Sequence, residues 1–170
     1  VQQQLLEALC ATGKPVVLVL YGPGVFALPW AAEHTAAMVQ AFMPGAEAGR
    51  VVADVLDGTV NPGGHLTFTI PHHIGQIPLV SNHRMGYVDN TDRPLFPFGH
   101  GLSYTTFEVE DFALSADTLP TDGSIQARCR ITNTGSRPGD QVLQLYYHFS
   151  GAHVIRPCMQ LVGFVRVSLA

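Results

Sequence analysis

Pro15-Val-Val-Leu-Val-Leu-Tyr21 is an unbroken apolar, largely β-branched run, opened by proline and ended by Gly22-Pro23-Gly24. A strand with no polar face must be covered on both sides, the condition of a parallel sheet flanked by helices. Upstream, Leu5, Leu6, Leu9 and Cys10 recur at helical spacing over 2–12, and Gly13 is suited to a left-handed cap. Downstream, Pro29-Trp30 opens a short helix, and 36–43 reads as a second strand, with a helix as the alternative. Pro44-Gly45 makes a turn into a helix over 46–57, whose apolar stripe is Val51, Val52, Val55 and Leu56. Arg50 and Asp54 pair at i,i+4, Glu47 lies near the positive helix end, and Gly58 stops the helix. Asn61-Pro62-Gly63-Gly64 is a tight turn, after which 65–70 alternates like a strand until Pro71. Strand, helix, strand in this order predicts an α/β layer.

The character changes after Pro71. Residues 72–104 are rich in Pro, Gly, His, Asn and Asp, and a loop of that length carries function or joins domains. Its aromatics (Tyr87, Phe96, Phe98 and Tyr104, with Phe107 just beyond) predict that it is packed down. From Thr105 every signal is β: a strand over 107–114, then Ile125, Ala127, Cys129 and Ile131 alternating with polar residues. Leu143, Leu145, Tyr147 and Phe149 share one face of a third strand, and 161–169 is a fourth. Turn signals at Asn133-Thr-Gly135 and Pro138-Gly139-Asp140 complete the pattern of an immunoglobulin-like sandwich. Such a sandwich needs ~7 strands in ~100 residues, and only about 65 remain here, so the sandwich is expected to be incomplete. The fold class is thus α/β, a partial sheet flanked by helices, followed by an incomplete all-β immunoglobulin- or fibronectin III-like sandwich.

Of the 170 residues, 46% are hydrophobic and 13% charged, which excludes a disordered chain. The net charge of −4 and the scattered basic residues argue against nucleic acid or an anionic membrane as partner. No apolar stretch approaches the ~20 residues of a membrane-spanning helix. Cys10, Cys129 and Cys158, an odd set with no CxxC, argue against a disulfide framework or zinc site and read as buried free thiols. Cys129 and Cys158 meeting across neighbouring strands is the alternative. The chain opens on Val1 inside a helical pattern, which suggests that it starts mid-protein.

Three blocks together resemble the C-terminal half of glycoside hydrolase family 3, the β-glucosidase and β-xylosidase family. The first runs from Lys14-Pro-Val-Val-Leu-Val-Leu20 through Pro29-Trp30 and Pro44-Gly45-Ala-Glu-Ala-Gly49 to Ala53-Asp-Val-Leu-Asp-Gly58 and Asn61-Pro-Gly-Gly64. The second, and most specific, is Pro94-Leu-Phe-Pro-Phe-Gly-His-Gly-Leu-Ser-Tyr104-Thr-Thr-Phe107. The third comprises Asn133-Thr-Gly135, Gly139-Asp140, Gln144-Leu-Tyr146, Arg156-Pro157 and Gly163-Phe164. The resemblance implies three segments: 1–80 as the end of the family's α/β sandwich domain, 81–106 as a connecting loop, and 107–170 as the start of a fibronectin type III-like domain. It also implies that the nucleophilic aspartate belongs to an N-terminal barrel, and the acid/base glutamate to a position before Val1. Neither maps onto this chain.

Retaining glycosidases need two carboxyl groups ~5–5.5 Å apart. Asp89 and Asp92 are the one acidic pair in a suitable loop, and they read better as turn residues. Asp54 and Asp57 belong to the helix and its end, and Glu108, Glu110 and Asp111 to the outer face of a strand. His72, His73, His83 and His100 fall in one loop region without metal-ligand spacing, so no metal is expected. Gly22-Pro-Gly24-Val-Phe-Ala27 formally fits a dinucleotide fingerprint, but Pro23 and Pro29 prevent a helix from starting at once. No cofactor is expected. Trp30 and the loop aromatics suit sugar stacking, although core packing is preferred for Phe96, Phe98 and Phe107. Asn82, His83 and Arg84, bunched in the loop after a strand, are the candidate substrate-cleft residues. The expected function is that of a β-glucosidase-like hydrolase. This chain would supply supporting domains, be inactive alone, and serve a barrel domain that handles a β-linked glucoside or xyloside. Oligomerisation through exposed strand edges is a further expectation. The alternative is a carbohydrate-binding or structural module without catalysis.

Overall fold

The computed structural model describes residues 1–77, 93–150, 156–157 and 159–170. Helix α1 (Gln2–Cys10) ends where Gly13 takes φ +73°, the left-handed geometry its lack of a side chain permits. Strand β1 (Val17–Tyr21) then pairs in parallel with β2 (Ala37–Phe42), in register from Val17↔Ala37 to Leu20↔Gln40. A parallel pair needs a crossover, and α2 (Pro29–His34) supplies it. Pro29 suits the first helical position, where no N–H is required, and Ala31 is packed to 1% exposure. Helix α2 starts at Pro29, well after the Gly22-Pro23-Gly24 bend, so the dinucleotide pattern lacks its helix.

A 3-10 turn (Gly45–Glu47) leads into α3 (Ala48–Leu56), so the helix expected over 46–57 begins in a tighter form. Arg50 and Asp54 form the expected i,i+4 pair at 3.7 Å. Residues 65–70 do not form the expected strand. They lie against 94–100, where Leu66 N–H donates to the His100 carbonyl at 2.8 Å and Gly99 N–H to that of Leu66 at 2.7 Å. Ile70 and Phe96 make an isolated antiparallel bridge. The opposing segment contains Pro94 and Pro97, which cannot donate, so a continuous ladder is denied to it.

The later strands match the β reading closely. β3 (Phe107–Leu114) pairs antiparallel with β4 (Ala127–Asn133), with a bulge between Glu110 and Ala113 where Asp111 takes φ +52°. β5 (Gly139–Tyr147) pairs antiparallel with β6 (Gln160–Leu169), bulged between Leu145 and Tyr146. Among the described residues the strands make three two-stranded sheets accompanied by a few short helices. Buried apolar side chains are scarce: Ala31, Ile70 and Pro71 are the ones among the described residues. The α3 stripe is only partly covered, with Val51 and Leu56 about half exposed. Phe164 on β6 stands 74% exposed. The expectation of buried thiols also needs correction, because Cys129 is exposed and Cys10 partly so, on short sheets and helices too thin to enclose them. Cys158 lies outside the described residues.

Candidate functional site

The long loop and the Asn-Pro-Gly-Gly turn meet in a polar seam between the α/β part and the β part. Asn61 is its centre. Its Oδ1 accepts from the Ser103 hydroxyl at 2.9 Å and from Tyr104 N–H at 2.8 Å, while its Nδ2 donates to the Pro138 carbonyl at 3.0 Å. One amide therefore ties together three segments far apart in sequence. Around it, the Tyr104 hydroxyl donates to the Val55 carbonyl of α3 at 2.9 Å. Arg137 donates to the Gly58 carbonyl at 3.2 Å, with its guanidinium 6.0 Å from the Tyr104 ring centre. Buried Thr105 donates to Asn133 Oδ1 at 2.7 Å, and Asn133 Nδ2 in turn reaches the Arg137 carbonyl at 2.7 Å.

On the loop itself, a His65 Nδ1–H donates to the Gly99 carbonyl at 2.7 Å, and the His100 ring stacks on Phe96 at 5.0 Å. Burial, and secondly the nearby His65, hold the His100 imidazole below its ordinary pKa. His73 Nδ1 accepts from Gly75 N–H at 3.1 Å. Among the described loop histidines, His73 and His100 thus make separate local contacts. Phe96 and Phe98 are partly covered, in line with packing. Trp30 is stacked on His34 at 4.3 Å, within hydrogen-bonding geometry that joins His34 Nδ1 to the Trp30 carbonyl at 2.8 Å.

Several carboxylates are engaged in keeping the fold. Asp140 receives Arg166 Nε at 2.9 Å and its terminal nitrogen at 2.5 Å on one oxygen. The Ser168 hydroxyl first, then Arg166, holds Asp140 below the ordinary carboxylate range. Asp57 Oδ1 accepts from Thr59 N–H at 2.8 Å, which lowers its pKa likewise. Asp111 pairs with Arg130 at 3.0 Å. A glycosidase acid needs a raised pKa at neutral pH, the opposite of what surrounds Asp57 and Asp140.

Asn82, His83 and Arg84 lie outside the described residues, as do Tyr87, Asp89 and Asp92. The seam was read from sequence only as turns and linker. Asn61 looked like an ordinary turn residue, since its partners lie 42, 43 and 77 positions away. The i,i+4 spacing of Trp30 and His34 was a signal that could have been found.

With this geometry in place, the relatives are informative. The chain is 40% identical to a periplasmic beta-glucosidase of Salmonella typhimurium, over 99% of this chain and 24% of that protein. It is 37% identical to a beta-xylosidase of Formosa agariphila, over 99% and 24% respectively. Among solved structures it is similar to the beta-glucosidase of Listeria innocua in complex with gluconolactone, at TM-score 0.91 and 34% identity, covering 99% of this chain and 25% of that one. The chain thus spans about a quarter of the length of the relatives it matches. The model of the glycosyl hydrolase family 3 C-terminal domain matches residues 1–104, which include the parallel pair, α3, Asn61 and the loop as far as Tyr104. The chain belongs to that family.

Proposed function

We propose that the chain is part of a β-glucosidase-like hydrolase that removes terminal β-linked glucose or xylose. Its role is to shape and brace the sugar site while a barrel domain brings the cleaving carboxyl group. The family match over residues 1–104 carries this reading, and the similarity of 99% of this chain to part of a beta-glucosidase and of a beta-xylosidase supports it. Residues 1–80 act as the end of an α/β sandwich domain, 81–106 as the connecting loop, and 107–170 as part of a fibronectin type III-like domain. Asn82, His83 and Arg84 contact substrate near the cleft entrance. The direct test is a chimera in which this chain replaces the matching quarter of the Salmonella enzyme. Hydrolysis of p-nitrophenyl β-glucoside or β-xyloside by a folded chimera is the expected result. A folded chimera that binds neither sugar would contradict the reading.

A further inference from the structure

Strand β5 begins at Gly139, beside Asn61 in the seam. At about 3.3 Å per residue, Tyr147 at its other end is roughly 25 Å away. There the hairpin opens, since Tyr147↔Gln160 is the last register pair of β5 and β6. Tyr147 is 41% and Phe149 56% exposed, although a phenylalanine ring is more often buried. The two rings meet edge to face, with centroids 6.0 Å apart and planes at 75°. The Arg156 guanidinium stands 5.5 Å from the Phe149 ring centre, and the Tyr147 hydroxyl donates to Gln160 Oε1 at 2.7 Å. That bond orients the amide and leaves its Nε2 hydrogens to donate elsewhere. Arg156 has no carboxylate partner among the described residues. With Pro157 these side chains line one shallow groove of about 30 Å³, enough for a hydroxyl group and too small for a sugar ring.

We propose that Tyr147, Phe149, Arg156 and Gln160 form a binding patch for a β-linked gluco- or xylo-oligosaccharide. One sugar ring lies across the aromatic surface and sets a hydroxyl into the groove. Every hydroxyl of β-glucose and β-xylose is equatorial, so the faces of the ring carry only C–H bonds, which an aromatic surface covers. Guanidinium and amide donors beside the rings meet the hydroxyls at the sugar's rim. The one cation is already engaged with a ring and its neighbour is a neutral amide, which suits a neutral polyol better than an anion. The identity of the sugar rests on the reading given above; the place of the patch does not.

Isothermal titration calorimetry of the purified chain with cellotetraose and with xylotetraose tests the patch. Saturable binding of at least one is expected. Phe149→Ala should weaken it about tenfold and Arg156→Met about fivefold, through loss of a stacking surface and of a set of donors. Tyr147→Phe keeps the ring, releases the Gln160 amide and should weaken binding about threefold. All three positions are exposed, so the far-UV circular dichroism should not change. Phe164→Ala, at an exposed ring on β6 outside the patch, should bind as the parent does. Unchanged binding in Phe149→Ala overturns the proposal, as does an equal loss in Phe164→Ala or no saturable binding of either sugar. Should Phe149→Ala fail to fold, unchanged binding in Arg156→Met overturns it alone. Self-association that Phe149→Ala abolishes, with no sugar bound, would assign the patch to a second copy instead. Binding that survives Phe149→Ala but is lost in the Asn82→Ala, His83→Ala, Arg84→Ala triple variant keeps the cleft reading and defeats the patch. Binding through Phe149 beside a folded but inactive chimera does the reverse.

Discussion

Asn61 uses one short side chain to satisfy a hydroxyl, a backbone N–H and a backbone carbonyl from two other segments. Removing it strips a partner from the part-buried Ser103 hydroxyl and from two more exposed backbone groups that water can reach, and a net hydrogen bond is worth about 0.5–1.5 kcal/mol. Asn61→Ala should therefore lower the unfolding free energy by that amount, read from the midpoint of urea denaturation. His100 makes a prediction about pH. Its proton is bound less readily in the folded chain than at the ordinary 6.5, because of burial and then of His65. Between the two pKa values the unfolded chain carries the extra proton, so acid favours unfolding. Stability is full above about pH 6.5 and falls as pH drops through the folded pKa, where it levels. His65→Gln should flatten that slope in thermal denaturation measured from pH 7.5 to 5, and an unchanged slope would remove His65 as a contributor.

At the scale of elements, period and punctuation were legible in the sequence wherever a segment's environment is set locally. The strand after Pro15, the proline-opened helix, α3 and the four later strands fall within a few residues of expectation. Residues 65–70 were misread because alternation describes one segment, whereas a ladder needs donors on both, and Pro94 and Pro97 remove them opposite. The candidate site was less legible. Asn82, His83 and Arg84 were chosen for polarity and loop position, and they lie outside the described residues. Asn61 acts through tertiary bonds that no spacing rule reveals. The start of β5 shows how tightly the seam joins elements. A Cβ on Gly139 would lie 2.6 Å from Asn61 Nδ2 and 3.2 Å from the Phe107 ring. Gly139→Ala should cost about 1–3 kcal/mol by overpacking. It should cost less when combined with Asn61→Ala, since the tightest of the clashes is then gone. A double-mutant cycle by urea denaturation measures that coupling, and strict additivity would place the two residues out of contact.

For the whole molecule, the outstanding physical feature is apolar surface left open. Phe112 and Leu114 on β3, Val162, Phe164 and Val165 on β6, and Val51 and Leu56 on α3 are all about half exposed or more. Large exposed apolar surface marks a place where other protein packs, and among the described residues the two-stranded sheets leave edges unpaired. The chain on its own should associate with itself, and its elution on size-exclusion chromatography should shift to earlier volumes as concentration rises. A monomer at every concentration would show that these faces tolerate water. The central claim is that this polypeptide braces a sugar-cleaving site without carrying the groups that cleave. Its most direct measurement is the steady-state hydrolysis of p-nitrophenyl β-glucoside by the purified chain. The account predicts no turnover above the uncatalysed rate. Turnover by the purified chain would contradict it, whether or not it survives Asp89→Asn with Asp92→Asn, because a working carboxyl pair would then lie within these 170 residues.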